Sequence, residues 1–160
     1  MIFVTVGTQA PFERFVKAMD EIAGKIEEPV VAQVFDENYK SKNMETYAFI
    51  SPEKFSKLLL EARLIVSHAG TGTILSALEN KIPIIVMPRL ASLGEHRNEH
   101  QTATVRKFLE LGYVYSANNL DELEKLIIND KTISLHQLGK YASTELTESL
   151  HDFFISNAPE

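Results

Sequence analysis

The sequence contains no cysteine, which excludes a disulfide scaffold, thiolate metal sites and cysteine nucleophiles. No apolar run approaches the roughly 20 residues that cross a bilayer as a helix. The first residues, M-I-F-V-T-V-G-T-Q, show no positively charged leader and no small-residue cleavage site, so the expectation is a cytoplasmic protein. Positive charge is scarce: Lys and Arg number 16 against 22 Asp and Glu, for a net charge of −6. That is a poor electrostatic footprint for a nucleic-acid binder. An anionic ligand would have to be held locally, by backbone amides or a few placed side chains. No repeat, low-complexity segment or Gly/Ser/Pro linker divides the chain. Its 160 residues suffice for one domain with a real core, and a two-domain cleft enzyme does not fit.

What is present is an alternation of short apolar runs with helical patterns. Residues 2–6, 30–35, 47–50, 64–66, 82–87 and 113–115 read as strands. After Pro11, which suits a first helical position, Phe12, Phe15, Val16, Met19, Ile22, Ala23 and Ile26 recur at three and four residues, one helix face. Residues 36–45 are polar and read as a loop. Ser51-Pro52 is a hydroxyl cap followed by proline, where its missing N–H costs nothing. Helices are further expected from the turn at 67–73 to about Asn80, after the irregular stretch 89–98 to Leu111 with Gly112 as the stop, after the capping-box pair Asn119 and Glu122, and over 135–154. This alternation predicts an α/β fold, a single Rossmann-like, doubly wound parallel sheet with helices on both faces. In such folds ligands bind beyond the carboxyl ends of the strands, where the strand order reverses. The informative residues are therefore those just after strands.

One such segment is S-H-A-G-T-G-T, Ser67 to Thr73. Gly70 and Gly72 let the backbone turn tightly and approach a ligand. The helix start offers free N–H groups and the positive dipole end, and the Thr71 and Thr73 hydroxyls add donors, which suits a phosphate or diphosphate. The segment is neither a P-loop nor G-x-G-x-x-G, and an ordinary tight strand–helix turn fits it equally. Gly7-Thr8-Gln9 would lie near the same sheet end; alone it reads as a turn. The stretch R-L-A-S-L-G-E-H-R-N-E-H-Q, Arg89 to Gln101, suits recognition of a polyhydroxylated ligand by many hydrogen bonds. Metal binding by His96 and His100 ranks below that reading, because no further ligand is evident. A solvated helix start is the plainest alternative. No G-x-S-x-G elbow is present. No Asp-x-Asp occurs either, so a metal-bridged diphosphate is disfavoured and no metal is expected. His136 and His151 read as surface or packing residues.

Taken together, residues 1–12, 65–73, 82–89 and 94–101 resemble the C-terminal, donor-binding half of glycosyltransferase family 28. The likeness is strongest to its stand-alone members, such as the small catalytic subunit of the dolichol-pathway N-acetylglucosaminyltransferase and capsule or exopolysaccharide subunits of bacteria. It spans residues 1 to about 115; the segment after about 135 carries no motif. The resemblance implies one half of a two-lobed GT-B architecture over residues 1–160. It also implies a catalytic subunit of an inverting transferase that uses a uridine-diphosphate sugar, with no other cofactor. Gly70 to Thr73 with Gly7 and Thr8 would hold the diphosphate. Phe49 and Ile50 stand where the family packs uracil. Gln101, His100 and Asn98 would bond sugar hydroxyls, with Gln9, His68, Arg89, Glu95 and His96 in the same strand-end segments. The two-domain members use an acidic residue for the ribose where this chain has Ser76; either Glu79 replaces it or Ser76 makes a weaker bond. The acceptor face, and with it the general base, would belong to a separate membrane-anchored partner that brings a lipid-linked acceptor to the cytoplasmic membrane face. His68 is a weak candidate base. The rival readings are a non-catalytic UDP-sugar-binding regulatory module and a self-sufficient homodimer.

Overall fold

The computed structural model describes residues 1–95 and 100–128, with residues 100–104 described by their backbone alone. The expected helix over 135–154 lies outside the described residues. Six strands form one parallel sheet: β1 (Ile2–Thr5), β2 (Val30–Gln33), β3 (Glu45–Tyr47), β4 (Leu64–His68), β5 (Ile84–Met87) and β6 (Tyr115–Ser116). Their order is β3-β2-β1-β4-β5-β6, and all five pairings are parallel. The connecting helices are α1 (Glu13–Ala23), α2 (Pro52–Glu61), α3 (Thr71–Glu79), α4 (His100–Glu110) and α5 (Leu120–Ile128).

Strand alternation sorts the core into two layers. Ile2, Val4, Leu64, Val66 and Ile85 face one side, where Phe15, Met19 and Ile22 of α1 and Leu123 and Ile127 of α5 cover them. Phe3, Ile65, Ile84 and Val86 face the other, under Leu59 of α2, Ile74, Ala77 and Leu78 of α3, and Val105 of α4. Both faces of the central strands are thus buried, which is why they read as continuous apolar runs.

Several boundaries differ from the sequence reading for definite reasons. Pro11 precedes α1 rather than opening it, since Phe12 is the N-cap. β3 is Glu45–Tyr47, not 47–50. It is an edge strand with no apolar run, and its pairing continues only through Val34 N–H to Tyr47 O and Phe35 N–H to Ala48 O. Phe35 then turns the chain at φ 54°. β6 is Tyr115–Ser116 rather than 113–115, because Tyr113 bonds back to Phe108 O and packs on Phe108. Gly112 stops α4 at φ 69°, as expected of a left-handed cap.

The polar loop between β2 and β3 is fastened by one buried carboxylate. Asp20 on α1 accepts from Ser41 Oγ (2.7 Å), Asn43 N (2.8 Å), Lys42 N (3.0 Å) and Tyr39 OH (3.3 Å). Burial pushes its carboxyl up, but these donors outweigh it and hold the group below its ordinary 3.8. Burial, together with the Asp20 charge beside it, raises the Tyr39 phenol to about 12. Asp20→Ala should therefore destabilise the fold by about 2–4 kcal/mol at neutral pH, by stranding several donors. Because the folded pKa is depressed, that contribution is present above pH 3.8 and is lost as pH falls through the lower folded value. Urea titrations of both proteins should show the gap narrowing in that acid window; a pH-independent gap would contradict this account.

Candidate functional site

The chain leaves β1 toward β2 and leaves β4 toward β5, so the strand order reverses between β1 and β4. The loops that follow these two strands part, and a crevice forms between them. An open cleft of about 760 Å³ lies there, a size suited to a small-molecule ligand. One wall is the loop after β1, with Gly7, Thr8 and Gln9. The opposite wall is the turn after β4 and the first turn of α3, from His68 to Thr73. The start of α2 supplies Ile50, Pro52, Phe55 and Ser56, and Ser76 stands one turn along α3.

The first turn of α3 is electrostatically open. Its N-cap is Gly70, which has no side chain to offer, and no acidic residue occupies the turn. Helix α1 is also without a side-chain cap but carries Glu13 in its first turn, and two helices fill the position: Ser51 Oγ accepts from Lys54 N in α2, with Glu53 beside it. In α5, Asn119 Oδ1 accepts from Glu122 N, and Glu122 reaches back to Asn118 N. In α3 the orphan N–H groups of the first turn and the positive end of the dipole are left to the cleft. Thr71, Gly72 and Thr73 line it there.

His68 explains two of the glycines. A Cβ on Gly70 would lie 2.3 Å from His68 Nε2, and one on Gly7 would lie 2.6 Å from His68 Cε1. The imidazole therefore sits between the two cleft walls, in space that only glycine leaves. Gly7 also has φ 76°, a conformation that side chains resist. Gly72 is different: an added Cβ would meet nothing within 4 Å.

The floor of the cleft is a polar row that the sequence reading missed. Thr5 of β1 is in register with Gln33 of β2 and Ser67 of β4. All three are buried and share the sheet face covered by α2 and α3. Thr5 Oγ1 donates to Gln33 Oε1 at 2.8 Å and accepts from Gly7 N at 3.2 Å. Thr5 and Gln33 line the cleft. Each is a single polar residue at the end of an apolar strand, and only the strand order aligns them.

Arg89 and Glu95 are placed otherwise than in contact with the cleft. Arg89 is 4% exposed. Its guanidinium donates to Pro11 O (2.6 Å), Ala10 O (2.6 Å) and Val6 O (3.2 Å), and lies over the Phe12 ring. It clamps the loop after β1. Glu95 takes a bidentate bond from Arg14 (2.7 and 2.8 Å) and the Leu90 N–H (2.9 Å). Burial raises its carboxyl pKa, but Arg14 and the Leu90 amide bring it below the ordinary value. Together they tie the segment after β5 to α1.

Of the remaining candidates, Ile50 lines the cleft. Phe49 is 58% exposed and stands edge-on to Phe35 at 4.7 Å. Ser76 lines the cleft and Glu79 is not among its lining residues. His96 and Asn98 lie outside the described residues. His100 and Gln101 open α4, and their side chains lie outside the description.

Residues 1–152 match the model of the glycosyltransferase family 28 C-terminal domain. The UDP-N-acetylglucosamine transferase subunit ALG13 of Eremothecium gossypii is 28% identical over 148 residues, covering 91% of this chain and 71% of that protein. A solution NMR structure of ALG13 superposes with a TM-score of 0.59 at 21% identity, covering 93% of each chain. The crystal structure of MurG from Acinetobacter baumannii gives a TM-score of 0.59 at 17% identity, covering 82% of this chain and 42% of that one. This chain thus spans less than half of that MurG, and its fold is that of one half of a GT-B glycosyltransferase.

Proposed function

Because this chain belongs to the glycosyltransferase family 28 C-terminal domain family, we propose that its cleft binds a UDP-sugar and that the chain is the donor-binding subunit of an inverting glycosyltransferase. The observation that carries this reading is the uncapped start of α3, aimed into a cleft at the strand-order switch. The diphosphate lies against the Thr71–Thr73 amides and the Gly7–Thr8 loop. The nucleoside lies toward Ile50, Pro52 and Phe55. His100 and Gln101, which open α4, are the candidates for the sugar hydroxyls.

In the reaction the bond between the anomeric carbon and the β-phosphate oxygen breaks as the acceptor hydroxyl attacks from the opposite face. Negative charge grows on the diphosphate, and preorganised amides with a helix dipole stabilise it without reorganisation. The acceptor's proton passes to a base on a second subunit, which supplies the other wall of the cleft. Among the described residues no helix is long and apolar enough to cross a membrane. The proposal places membrane attachment and the lipid-linked acceptor with that partner. The relative named above is a UDP-N-acetylglucosamine transferase subunit, and that sugar is the first donor to test. Since the helix start does the charge work, transfer should proceed unchanged in EDTA.

The test is a transfer assay with UDP-N-acetylglucosamine and a lipid-linked acceptor, run with this chain alone and co-expressed with a membrane-anchored partner. Transfer is expected only in the complex. Equal rates from the isolated chain would refute the two-subunit reading. Saturable UDP binding without transfer in any complex would favour a regulatory module.

A further inference from the structure

The polar row beneath the cleft has a direction. The Gly7 N–H can only donate, and it donates to Thr5 Oγ1. Thr5 is fully buried, so its hydroxyl proton needs an acceptor, and Gln33 Oε1 at 2.8 Å is that acceptor. Turning the Gln33 amide round would aim its NH2 at Thr5 and strand the Thr5 proton, at the cost of an unsatisfied buried donor. The chain therefore fixes Oε1 toward Thr5 and leaves the Gln33 Nε2 hydrogens for the cleft. Gln33 is 98% buried, with an exposure of 2%, and Nε2 has no partner among the described residues. No buried side-chain nitrogen or oxygen among those residues is left unpaired, so Nε2 must open into the cleft that Gln33 lines.

From this geometry we infer that Gln33 is a specificity-determining donor whose side-chain amide bonds a carbonyl or hydroxyl oxygen in the nucleoside half of the bound nucleotide. The inference rests on the proposed UDP-sugar reading and deepens it. β2 lies on the β3 side of β1, whereas α3 follows β4 on the other side. Gln33 therefore stands toward the wall that begins after β3, with Ile50, Pro52 and Phe55, and away from the α3 start that faces the diphosphate. Thr5 acts through Gln33, as a positioning residue that selects the amide's orientation.

The experiment is calorimetric titration of two probes, UDP and inorganic pyrophosphate, against wild type, Gln33→Met and the double variant Thr5→Val/Gln33→Met. Gln33→Met removes the donor while keeping the length, but orphans the Thr5 hydroxyl. The double variant removes both partners of that bond, a change that can be nearly neutral for folding, and the half-buried Gly7 N–H that loses its acceptor lines the cleft, where water can replace it, so it keeps the test valid if the single variant is unstable. A hydrogen bond of this kind contributes roughly tenfold in affinity. UDP should bind both variants about tenfold more weakly, and pyrophosphate should be unaffected. An equal loss for both probes would overturn the nucleoside assignment, and unchanged UDP affinity in both variants would overturn the role of Gln33 altogether. If wild type binds pyrophosphate or nothing, but shows no preference for UDP, the underlying UDP-sugar reading fails instead.

Discussion

Gly72→Asp is expected to bind UDP about a hundredfold or more weakly than wild type while unfolding at the same or a slightly higher temperature. The two effects have opposite signs because one carboxylate meets one helix end in two contexts. Gly72 is the second residue of α3, and a Cβ there meets no other atom within 4 Å. An acidic side chain in the first turn of a helix stabilises it by about 0.3–1 kcal/mol, and replacing a helical glycine adds a similar amount. The carboxylate would also occupy the anion site itself. A unit charge about 4 Å from a diphosphate charge costs on the order of 4 kcal/mol at the effective dielectric of a protein surface, which sets the scale of the loss. Gly72→Ala separates charge from size and should cost far less binding. Thermal melts beside UDP titrations read both quantities. A variant that is both destabilised and weakly binding would mean that Gly72 serves the turn rather than a ligand.

Gly70→Ala is expected to destabilise the protein by about 1–3 kcal/mol, the usual range for overpacking, and to disrupt UDP binding with it. The backbone of Gly70 is extended, φ −81°, and would accept alanine; the obstacle is the His68 ring, 2.3 Å from the new Cβ. His68→Ala in the same chain should therefore restore the lost stability. The two substitutions share one contact, so their energies should fail to add by about 1–3 kcal/mol. Gly7→Ala offers a contrast. Its clash with His68 is similar, at 2.6 Å, but its φ of 76° remains unfavourable, so His68→Ala should rescue it only in part. Additive energies for Gly70→Ala and His68→Ala would show that the imidazole is not what excludes a side chain there. Urea unfolding of the four proteins in each cycle makes the measurement.

How much of this the sequence carried depends on whether the signal was local. Ser51-Pro52 capped α2 as read, because a cap is decided within three residues. The Asn119 cap likewise formed, taking the Glu122 N–H, while Glu122 reaches back to Asn118 N and Asn119 Nδ2. The turn from Ser67 to Thr73 was legible as a glycine-rich strand–helix junction, because that signal is local; only the fold puts its uncapped helix start on the wall of a cleft. Non-local features were not legible. Edge strand β3 buries too little to show a period, so its bounds slipped by two to three residues. The reason Gly70 must be glycine lies in the ring of His68, two residues earlier, and in a fold that brings Gly7 to the ring's other side. The Gln33–Thr5–Ser67 row exists only once β2, β1 and β4 are set side by side in register. Arg89 shows the same limit: an arginine just after a strand suggested a ligand contact, but three carbonyls of the 6–11 loop take its donors.

The central claim is that a nucleoside diphosphate seats on the open start of α3 between the loops after β1 and β4. The most direct measurement is a backbone amide NMR titration of the isotopically labelled chain with UDP. Saturable shifts should concentrate at Gly7, Thr8 and Gly70 to Thr73, with the three first-turn amides of α3 among the largest, since they would gain charged hydrogen-bond acceptors. Saturable binding that leaves the amides of Thr71, Gly72 and Thr73 unmoved would contradict the account.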